Sequence, residues 1–338
     1  MRRYIAARLV FLALMLFGLF CITFVISHVA PGDPARLAAG PDATASMVET
    51  MRAKYGLDRP LPQQFIRYAR GLVTGDLGES IRSRNTVLDD LVRYFPNSFE
   101  LVTLALLLAI AIGVPLAMLS AVYQNRWGDH VVRVLSVSGV ALPAFWLGLM
   151  LQLVFAQHFG LLPLGGRLNL TTVPPAPITH LLFVDAVLRG QWSTLADALR
   201  HAILPVVTLC FPALASIMRV NRAEMIEVLR QDYIAHARAH GFSTFRIVTR
   251  YALKNAMIPT LTMIGLRYGW MLGGTVLVET VFDWPGIGLY AVSAAVSSDF
   301  QPIMGVTLVI GLNFMLANLL VDLAYGWLDP RIRLRSAS

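Results

Sequence analysis

Long apolar runs separated by short polar segments dominate the pattern of residues along this chain. Several of these runs reach the ~20 residues that an α-helix needs to cross the hydrocarbon of a bilayer. We therefore predict an all-α, polytopic membrane protein with six transmembrane helices. The predicted spans are residues 9–28, 98–122, 134–156, 202–220, 257–280 and 303–325.

The spans divide the chain into three predicted regions, with a longer outer loop inside the last one. Residues 1–28 form the N-terminus and span one, 29–97 form an external subdomain, and 98–338 form a five-span core. In the external subdomain, Ser46 and Glu49 have the spacing of a capping box, Gly56 follows as a helix stop, and Thr86 is a second helix start. Residues 157–201 are predicted to form an external loop with one short helix.

Prolines and small residues predict the shape and the packing of the spans. We expect helices to bend or open locally at Pro143, Pro205 and Pro212. Span two repeats a small residue at every fourth position, a spacing that lets helix backbones approach closely within one chain. These residues are Ala105, Ala109, Gly113, Ala117 and Ala121. In span five the same spacing, which fits intramolecular packing or a seam with another subunit, is found at Gly265, Gly269 and Gly273.

Composition agrees with a membrane protein, since 56% of the residues are apolar and only 14% are charged. An average soluble domain has roughly 25% charged residues, so ordinary soluble enzymes and disordered chains are excluded. The net charge is +8. Because the basic residues flank the apolar runs, we assign them to membrane topology and not to nucleic-acid binding. Cys21 and Cys210 both lie in apolar runs, which indicates neither a disulfide framework nor a zinc site.

Basic residues also orient the chain. They are concentrated at both termini and in the segments that join spans two to three and four to five. The segment 281–302, by contrast, contains Asp283 and Asp299 and no Lys or Arg. The positive-inside rule therefore places both termini in the cytoplasm, which agrees with an even number of spans.

The inner segment 221–256 has a helical pattern of its own. A row of side chains recurs at every fourth position and predicts one face of a helix, made of Met225, Leu229, Tyr233 and Ala237. Gly241 is the predicted stop of this helix, with a φ above zero, and Ser243 is the cap of a second helix that ends before Pro259. A helix–turn–helix is therefore predicted at the cytoplasmic face.

The sequence contains no recognisable catalytic motif. Neither of its two lysines, Lys54 and Lys254, follows a glycine, so no phosphate-binding loop exists. The H-E-x-x-H and G-x-S-x-G patterns are also absent. His236 and His240 lie one helical turn apart, but without a third ligand nearby we assign them to a polar helix surface. We therefore expect no catalytic residue, metal or cofactor in this chain.

Arg267 is the outlier among the span residues, because it lies near the middle of span five. A cation at this depth is costly unless it meets water, a partner or a substrate. Two interpretations stay open: Arg267 lines a water-filled translocation pathway, or it pairs structurally with a carboxylate such as Glu279 or Asp322.

Ordered motifs along almost the whole chain resemble one family, the inner-membrane permease subunits of bacterial ABC importers for dipeptides, oligopeptides, nickel and related solutes. The matching segments are His28-Val-Ala-Pro-Gly-Asp-Pro34, Tyr55-Gly-Leu-Asp-Arg-Pro60, Gly75-Asp-Leu-Gly78, Pro143-Ala-Phe-Trp-Leu-Gly148, Asp232-Tyr-Ile-Ala-His-Ala-Arg-Ala-His-Gly241, Glu279-Thr-Val-Phe-Asp-Trp-Pro-Gly-Ile-Gly288 and Asp329-Pro-Arg-Ile-Arg333. The sequence departs from the general permease motif at Ala235-His236-Ala237, where Glu-Ala-Ala is usual, and at Lys254, where a proline is usual.

The resemblance implies a type I importer fold and a role for the cytoplasmic loop. It implies that this loop is a coupling helix that docks in a groove of an ATPase subunit, through Asp232, Tyr233, Ala237, Arg238, His240 and Gly241. It also implies a homologous second permease, two ATPase subunits that bind ATP and Mg²⁺, and a periplasmic solute-binding protein. Peptides are the favoured solute, while nickel, glutathione, opines and sugars remain as alternatives.

Two other classes of membrane protein compete with this interpretation. A secondary transporter would need coupling-ion sites, usually several carboxylates inside the membrane, and the mid-span regions show a central arginine instead. A scaffold or receptor subunit without transport would leave the ordered motifs unexplained. Identifying the ATPase partners of the purified chain would separate the three classes.

Overall fold

The computed structural model describes residues 2–29, 34–39 and 43–328, and within them the regular structure is helical apart from one antiparallel bridge between Glu79 and Thr86. The helices are α1 (Arg2–Val29), α2 (Pro34–Ala39), α3 (Ala45–Tyr55), α4 (Leu61–Thr74), α5 (Val87–Val122), α6 (Trp127–Ala141), α7 (Ala144–Leu151), α8 (Leu182–Leu188), α9 (Trp192–Leu229), α10 (Asp232–Ala239), α11 (Thr244–Arg246), α12 (Leu253–Val281), α13 (Ile287–Val296) and α14 (Phe300–Leu328). Two π-helical segments, Gln152–His158 and Ile247–Ala252, extend α7 and join α11 to α12.

The predicted all-α membrane architecture is confirmed. Four helical stretches in the described residues are long and apolar enough to cross a membrane, and they are Val87–Val122, Trp192–Leu229, Thr244–Val281 and Phe300–Val321. The bent pair Trp127–Ala141 and Ala144–His158 is a fifth crossing if the two helices form one span. The shorter apolar stretch Val10–Ile26 belongs to α1. By length and composition the structure therefore has four or five spans, and the predicted six are reached only if α1 also crosses.

Proline has different effects in the third and fourth spans. Span three, predicted over residues 134–156 with a bend or opening at Pro143, turns through 106° between α6 and α7. Pro143 is the N-cap of α7, so the bend expected at this proline is confirmed. Span four instead runs as one unbroken α-helix through Pro205 and Pro212, so the helix does not open there, and a bend at these prolines stays a prediction. Neighbouring helices in a bundle let a helix tolerate such prolines.

Helix boundaries around the inner segment also differ from the prediction. α9 begins at Trp192, inside the predicted external loop, and continues to Leu229. The predicted single helix face from Met225 to Ala237 is wrong, because the extended backbone of Gln231 separates α9 from α10. The helix that follows Ser243 does not end before Pro259, since the helical stretch Thr244–Val281 continues through it as a span.

The external segment folds into three short helices, and two of its predicted helix boundaries are correct. Gly56 ends α3 with a φ of 67°, and the Thr86 side chain accepts a hydrogen bond from the Asp89 amide at the start of α5. The capping box at Ser46 is wrong, because Thr44 is the N-cap and makes no side-chain cap bond. Since α5 begins at Val87, the helix of span two starts well before the predicted boundary at residue 98.

The core of the bundle is the contact between α5 and α9. The small residues of span two are buried in it, and a Cβ placed on Gly113 would lie 3.2 Å from Leu214 Cδ1 and 3.4 Å from Ile217 Cγ2 of α9. Large side chains are therefore supplied mainly by α9 while α5 provides a smooth surface, which brings the two backbones close together. α12 and α14 complete the bundle beside this pair.

Candidate functional site

The turn between α9 and α12 forms one end of the bundle, and we call residues 232–246 the coupling surface. Ile234 and Ala237 on one side of α10 are buried together with Met225 of α9 and with Ile247 and Val248 of the following π-helical segment. This apolar contact fixes α10 against the ends of the spans. The opposite side of α10 faces outward and consists of exposed residues.

The outward side of α10 holds most of the residues that the resemblance assigned to ATPase coupling. The exposed ones are Asp232, Tyr233, Arg238, His240 and Gly241. Ala237 is only 7% exposed, so it belongs to the inner contact of α10. The rings of His236 and His240 use Nδ1 to contact backbone oxygens of the preceding turn, at 3.0 and 2.9 Å. Among the described residues, no three His, Cys, Asp or Glu side chains form a group that could hold a metal ion.

Gly241 makes the sharp turn at the end of α10. Its φ is +75°, a conformation that only glycine adopts at little cost, and its amide bonds to the Arg238 oxygen at 2.9 Å. The Phe242 amide then bonds to the Ala237 oxygen at 3.2 Å. The Ser243 side chain accepts a bond from the Arg246 amide at 3.4 Å, so the predicted cap is present. The turn is thus fixed by backbone bonds on both sides.

Aromatic contacts join the turn to the start of α12. Phe242 stacks on Tyr251 with ring centroids 5.8 Å apart, and Arg246 lies 4.7 Å above the Phe242 ring. Asn255 of α12 donates a bond to the Tyr233 hydroxyl at 2.7 Å. These contacts lie on both sides of the turn, so a displacement of α10 acts directly on the first turns of α12.

Phe245 is a residue of the coupling surface that the sequence interpretation missed. Its side chain is 78% exposed, and it lies in α11, two residues after the Ser243 cap. A large, rigid apolar side chain projecting from a polar surface is typical of an anchor at a protein interface. The available signal was its position two residues after a helix cap, where a solvated surface would favour a polar residue.

A buried ion pair ties the helices together close to this end of the bundle. Arg222 of α9 donates two bonds to the fully buried Asp129 of α6, from Nε at 2.6 Å and from Nη2 at 2.9 Å. The Ser120 hydroxyl of α5 donates to the same carboxylate at 2.5 Å, and the Asn125 amide donates at 2.9 Å. One carboxylate thus connects three helices, and no motif in the sequence indicated it.

Arg267 lies half-buried on α12, on the side away from α14. It makes no hydrogen bond or ion pair with a described side chain, and the like charge of Arg219 on α9 repels it. The alternative pairing with Glu279 is not observed, because Glu279 is bonded elsewhere. The Asp322 side chain lies outside the described residues, so that alternative stays a prediction.

The small residues of span five have two different environments. A Cβ on Gly265 would meet Val321, and one on Gly269 would meet Phe314, so both glycines face α14 of the same chain. A Cβ on Gly273 would meet nothing within 4 Å, and this part of α12 is open. The intramolecular interpretation therefore describes two of the three glycines, while the third lies on an uncovered face.

At the other end of the bundle, Glu279 organises the motif that runs from it to Gly288. Its buried carboxylate accepts bonds from the Ser98 hydroxyl at 2.5 Å and from the Leu289 amide at 3.0 Å. Gly286 and Gly288 both lie against this carboxylate, and a Cβ at either position would collide with it. The glycines of the motif are therefore explained by close approach to a buried acid.

A second buried network holds the loop after α7 against this end. Arg167 bonds to the Glu100 carboxylate and to the Asn97 side chain, and it lies 5.2 Å above the Trp284 ring. The Trp284 indole donates a hydrogen bond to the backbone oxygen of Asn97 at 3.1 Å, and the Phe183 amide donates one to the Glu100 carboxylate at 2.9 Å. α5, α8 and the segment after α12 meet at this cluster.

Two further acids fix the segment between α4 and α5. Asp90 accepts bonds from Ser83 at 2.5 Å and from the Tyr290 hydroxyl at 2.9 Å. Asp299 accepts bonds from Ser80 at 2.7 Å and from the Arg82 amide at 3.2 Å. Burial raises the pKa of the Asp299 carboxyl above its usual range, and these bonds oppose the rise.

Comparisons with known proteins identify the family to which this chain is similar. Residues 113–334 match the family described as "Binding-protein-dependent transport system inner membrane component". Residues 1–102 match a second description, "Binding-prot-dependent transport system membrane comp, N-term". Together the two matches account for most of the chain.

Individual relatives are similar over nearly their whole length. The chain is 48% identical to the "Probable D,D-dipeptide transport system permease protein DdpB" of Escherichia coli K12, over 95% of this chain and 94% of that protein. It is 39% identical to the "Dipeptide transport system permease protein DppB" of Alkalihalophilus pseudofirmus, over 98% and 100%. It is 38% identical to the "Glutathione transport system permease protein GsiC" of an Escherichia coli O6:H1 strain, over 98% and 99%. The chain belongs to the family of inner-membrane permease components of binding-protein-dependent ABC importers.

Proposed function

We propose that this chain forms half of the translocation pathway of an ATP-driven importer for dipeptides or short oligopeptides. The observation that carries the proposal is its similarity to dipeptide permeases over nearly the full length, at 37–48% identity. The relative named for glutathione transport, itself a short peptide, favours the same solute class. In this proposal the chain performs no chemistry, and ATP and Mg²⁺ are bound by separate ATPase subunits.

The coupling surface is the proposed contact with one ATPase subunit. It offers a short helix held from behind by apolar packing, a rigid turn at Gly241 and an exposed aromatic side chain at Phe245. When two ATPase subunits close on ATP, the proposed displacement of α10 moves α9 and α12 with it. The spans then change between inward-open and outward-open states by rigid-body motion.

The remaining subunits follow from the same proposal. A homologous second permease provides the other half of the pathway, and a periplasmic binding protein delivers the solute to the end that contains Glu279 and Arg167. Both termini of the chain then lie in the cytoplasm. Single cysteines test the orientation: a membrane-impermeant maleimide should label Leu88→Cys, an exposed position, from outside and His240→Cys only after the membrane is opened.

Uptake by the reconstituted transporter tests the solute class. The chain is assembled in liposomes with its permease, ATPase and binding-protein partners, and ATP-dependent uptake is measured for D-Ala-D-Ala, an L,L-dipeptide, glutathione, a Ni²⁺ complex and a sugar. We expect uptake of at least one dipeptide to exceed that of the last two solutes. Uptake of only the nickel complex or the sugar would contradict the peptide assignment, and ATP-independent uptake driven by an ion gradient would contradict the importer mechanism.

A further inference from the structure

α4 is a strongly amphipathic helix whose apolar side is only partly covered by the protein. With 3.6 residues per turn, its apolar side chains occupy one arc of about 160° around the axis. They are Leu61, Pro62, Phe65, Ile66, Tyr68, Ala69, Leu72 and Val73. The glutamines, the arginines and Thr74 occupy the other arc, and α4 contains no acidic residue. None of its residues is fully buried in the described structure.

One flank of the apolar arc packs on α1. Tyr68 stacks on Phe20 with ring centroids 5.6 Å apart and an interplanar angle of 5°. Phe65 lies 4.9 Å from the Phe20 ring and 5.2 Å from the Phe24 ring. Together these four aromatic rings fix α4 against the side of α1, so α4 is held at a definite height along that helix.

That height lies within the apolar stretch Val10–Ile26 of α1. At 1.5 Å per residue, Phe24 lies about 3 Å and Phe20 about 9 Å from Ile26, the last apolar residue before Ser27 and His28 in the sequence. Helices that lie in a membrane surface bury their apolar face ~5–10 Å into the boundary between headgroups and acyl chains. The contacts of α4 with α1 therefore occur at the depth of such a helix.

The other flank of the arc faces away from the protein. Ile66 is 65% exposed and Val73 is 88% exposed, and on α1 the apolar side chains Ile22 and Ile26 are exposed as well. Because α4 contacts α1 within the apolar stretch of α1, lipid that surrounds α1 at this level also reaches the exposed flank of α4. Arg67 and Arg70 on the polar arc match the phosphate groups above that lipid, since guanidinium groups bind phosphate through paired hydrogen bonds.

We propose that α4 lies in the lipid surface as a membrane-embedded interfacial helix, with Ile66 and Val73 among the acyl chains and Arg67 and Arg70 at the phosphate level. The orientation proposed above places this helix in the outer leaflet. The inference depends on the membrane location of the family and not on the identity of the solute. It assigns a membrane anchor to the external segment, which the sequence interpretation described only as a small folded subdomain.

Spin-label accessibility in the complete transporter tests the proposal. Cys21→Ala and Cys210→Ala remove the two cysteines of the chain, and nitroxide labels are attached at Ile66→Cys and Val73→Cys. Matched controls carry the label on the polar arc, at Gln63→Cys and Thr74→Cys, both exposed positions. Power saturation with oxygen, which concentrates in lipid, and with a nickel chelate, which stays in water, gives the depth of each label. Binding-protein-stimulated ATP hydrolysis shows that each labelled transporter is assembled.

We expect labels at 66 and 73 to be accessible to oxygen and protected from the nickel chelate, at a depth of about 5–10 Å. The control labels should show the reverse. Nickel access at 66 and 73 would place α4 in water, and exclusion of both reagents would show that another protein subunit covers this flank. Either result would overturn the proposal, while leaving the importer assignment and its uptake assay unaffected.

Discussion

Gly241 offers the sharpest test of the coupling surface, because the structure separates its backbone role from side-chain packing. A Cβ added at this position would meet no atom within 4 Å, so a substitution creates no clash. The cost comes only from the φ of +75°. For an L-residue this conformation costs roughly 1–2 kcal/mol, and a β-branched residue is a stronger outlier there. A cost of that size lowers the population of the native turn about 5–30-fold.

The prediction is a graded series at this single position. Gly241→Asn should retain most of the coupled uptake, because asparagine tolerates the left-handed region. Gly241→Ala should lose part of the coupled uptake, and in Gly241→Val the uptake should fall about ten-fold or more. The assays are solute uptake and binding-protein-stimulated ATP hydrolysis by the reconstituted complex. Gly128→Val is the matched control, because a Cβ there also meets open space but the backbone has no positive φ.

Two outcomes would refute this reasoning about the turn. Full coupled uptake by Gly241→Val would show that the turn is not needed for docking. Equal losses at positions 241 and 128 would show that side-chain bulk, and not backbone conformation, is responsible. Membrane insertion of every variant, checked by its yield in the membrane fraction, keeps both outcomes interpretable.

Three further predictions concern single side chains. Asp129→Asn should lower the thermal unfolding midpoint of the purified complex, because it leaves the partly buried Arg222 without a countercharge, at a cost of up to about 3 kcal/mol. An unchanged midpoint would contradict this. Phe245→Ala should leave the unfolding midpoint unchanged but weaken binding of the ATPase subunit about 30-fold, which corresponds to the loss of roughly 2 kcal/mol expected for an interface anchor. Unchanged binding would show that Phe245 is not an anchor. The Arg267→Gln transporter should assemble normally, and its uptake of free-acid dipeptides should fall about ten-fold relative to that of their C-terminal amides. Arg267→Lys should restore this uptake. Equal losses for the acids and the amides would favour a structural role.

Local rules predicted the features of this fold that depend on neighbouring residues. The stop at Gly56, the cap at Thr86 and the turn at Gly241 follow from the conformational freedom or the hydrogen-bonding ability of single residues. The smooth face of span two also follows from a local repeat. Span ends were less predictable, because apolar content marks the hydrocarbon thickness, whereas α9 continues beyond it to Trp192 and Leu229.

Contacts between distant segments could not be predicted from one sequence. Asp129 and Arg222 are 93 residues apart, and Glu100 and Arg167 are 67 residues apart, and neither pair has a local pattern. Tertiary contacts also decide why the helix breaks at Pro143 but not at Pro205. α9 is packed by neighbouring helices around Pro205, whereas the break after α6 places Pro143 at the start of a separate helix.

The two ends of the bundle are built for different tasks. At the end near Glu279, buried acids at positions 90, 100, 279 and 299 each accept bonds from other segments, which resists relative movement of α5, α12 and α13. At the coupling end, α10 is held by apolar packing and the turn is free on its outer side. Because the bond between Asp129 and Arg222 joins α6 to α9, a displacement of α10 is transmitted to these helices as one body. We therefore expect conformational change to open the coupling end while the buried networks at the other end stay intact.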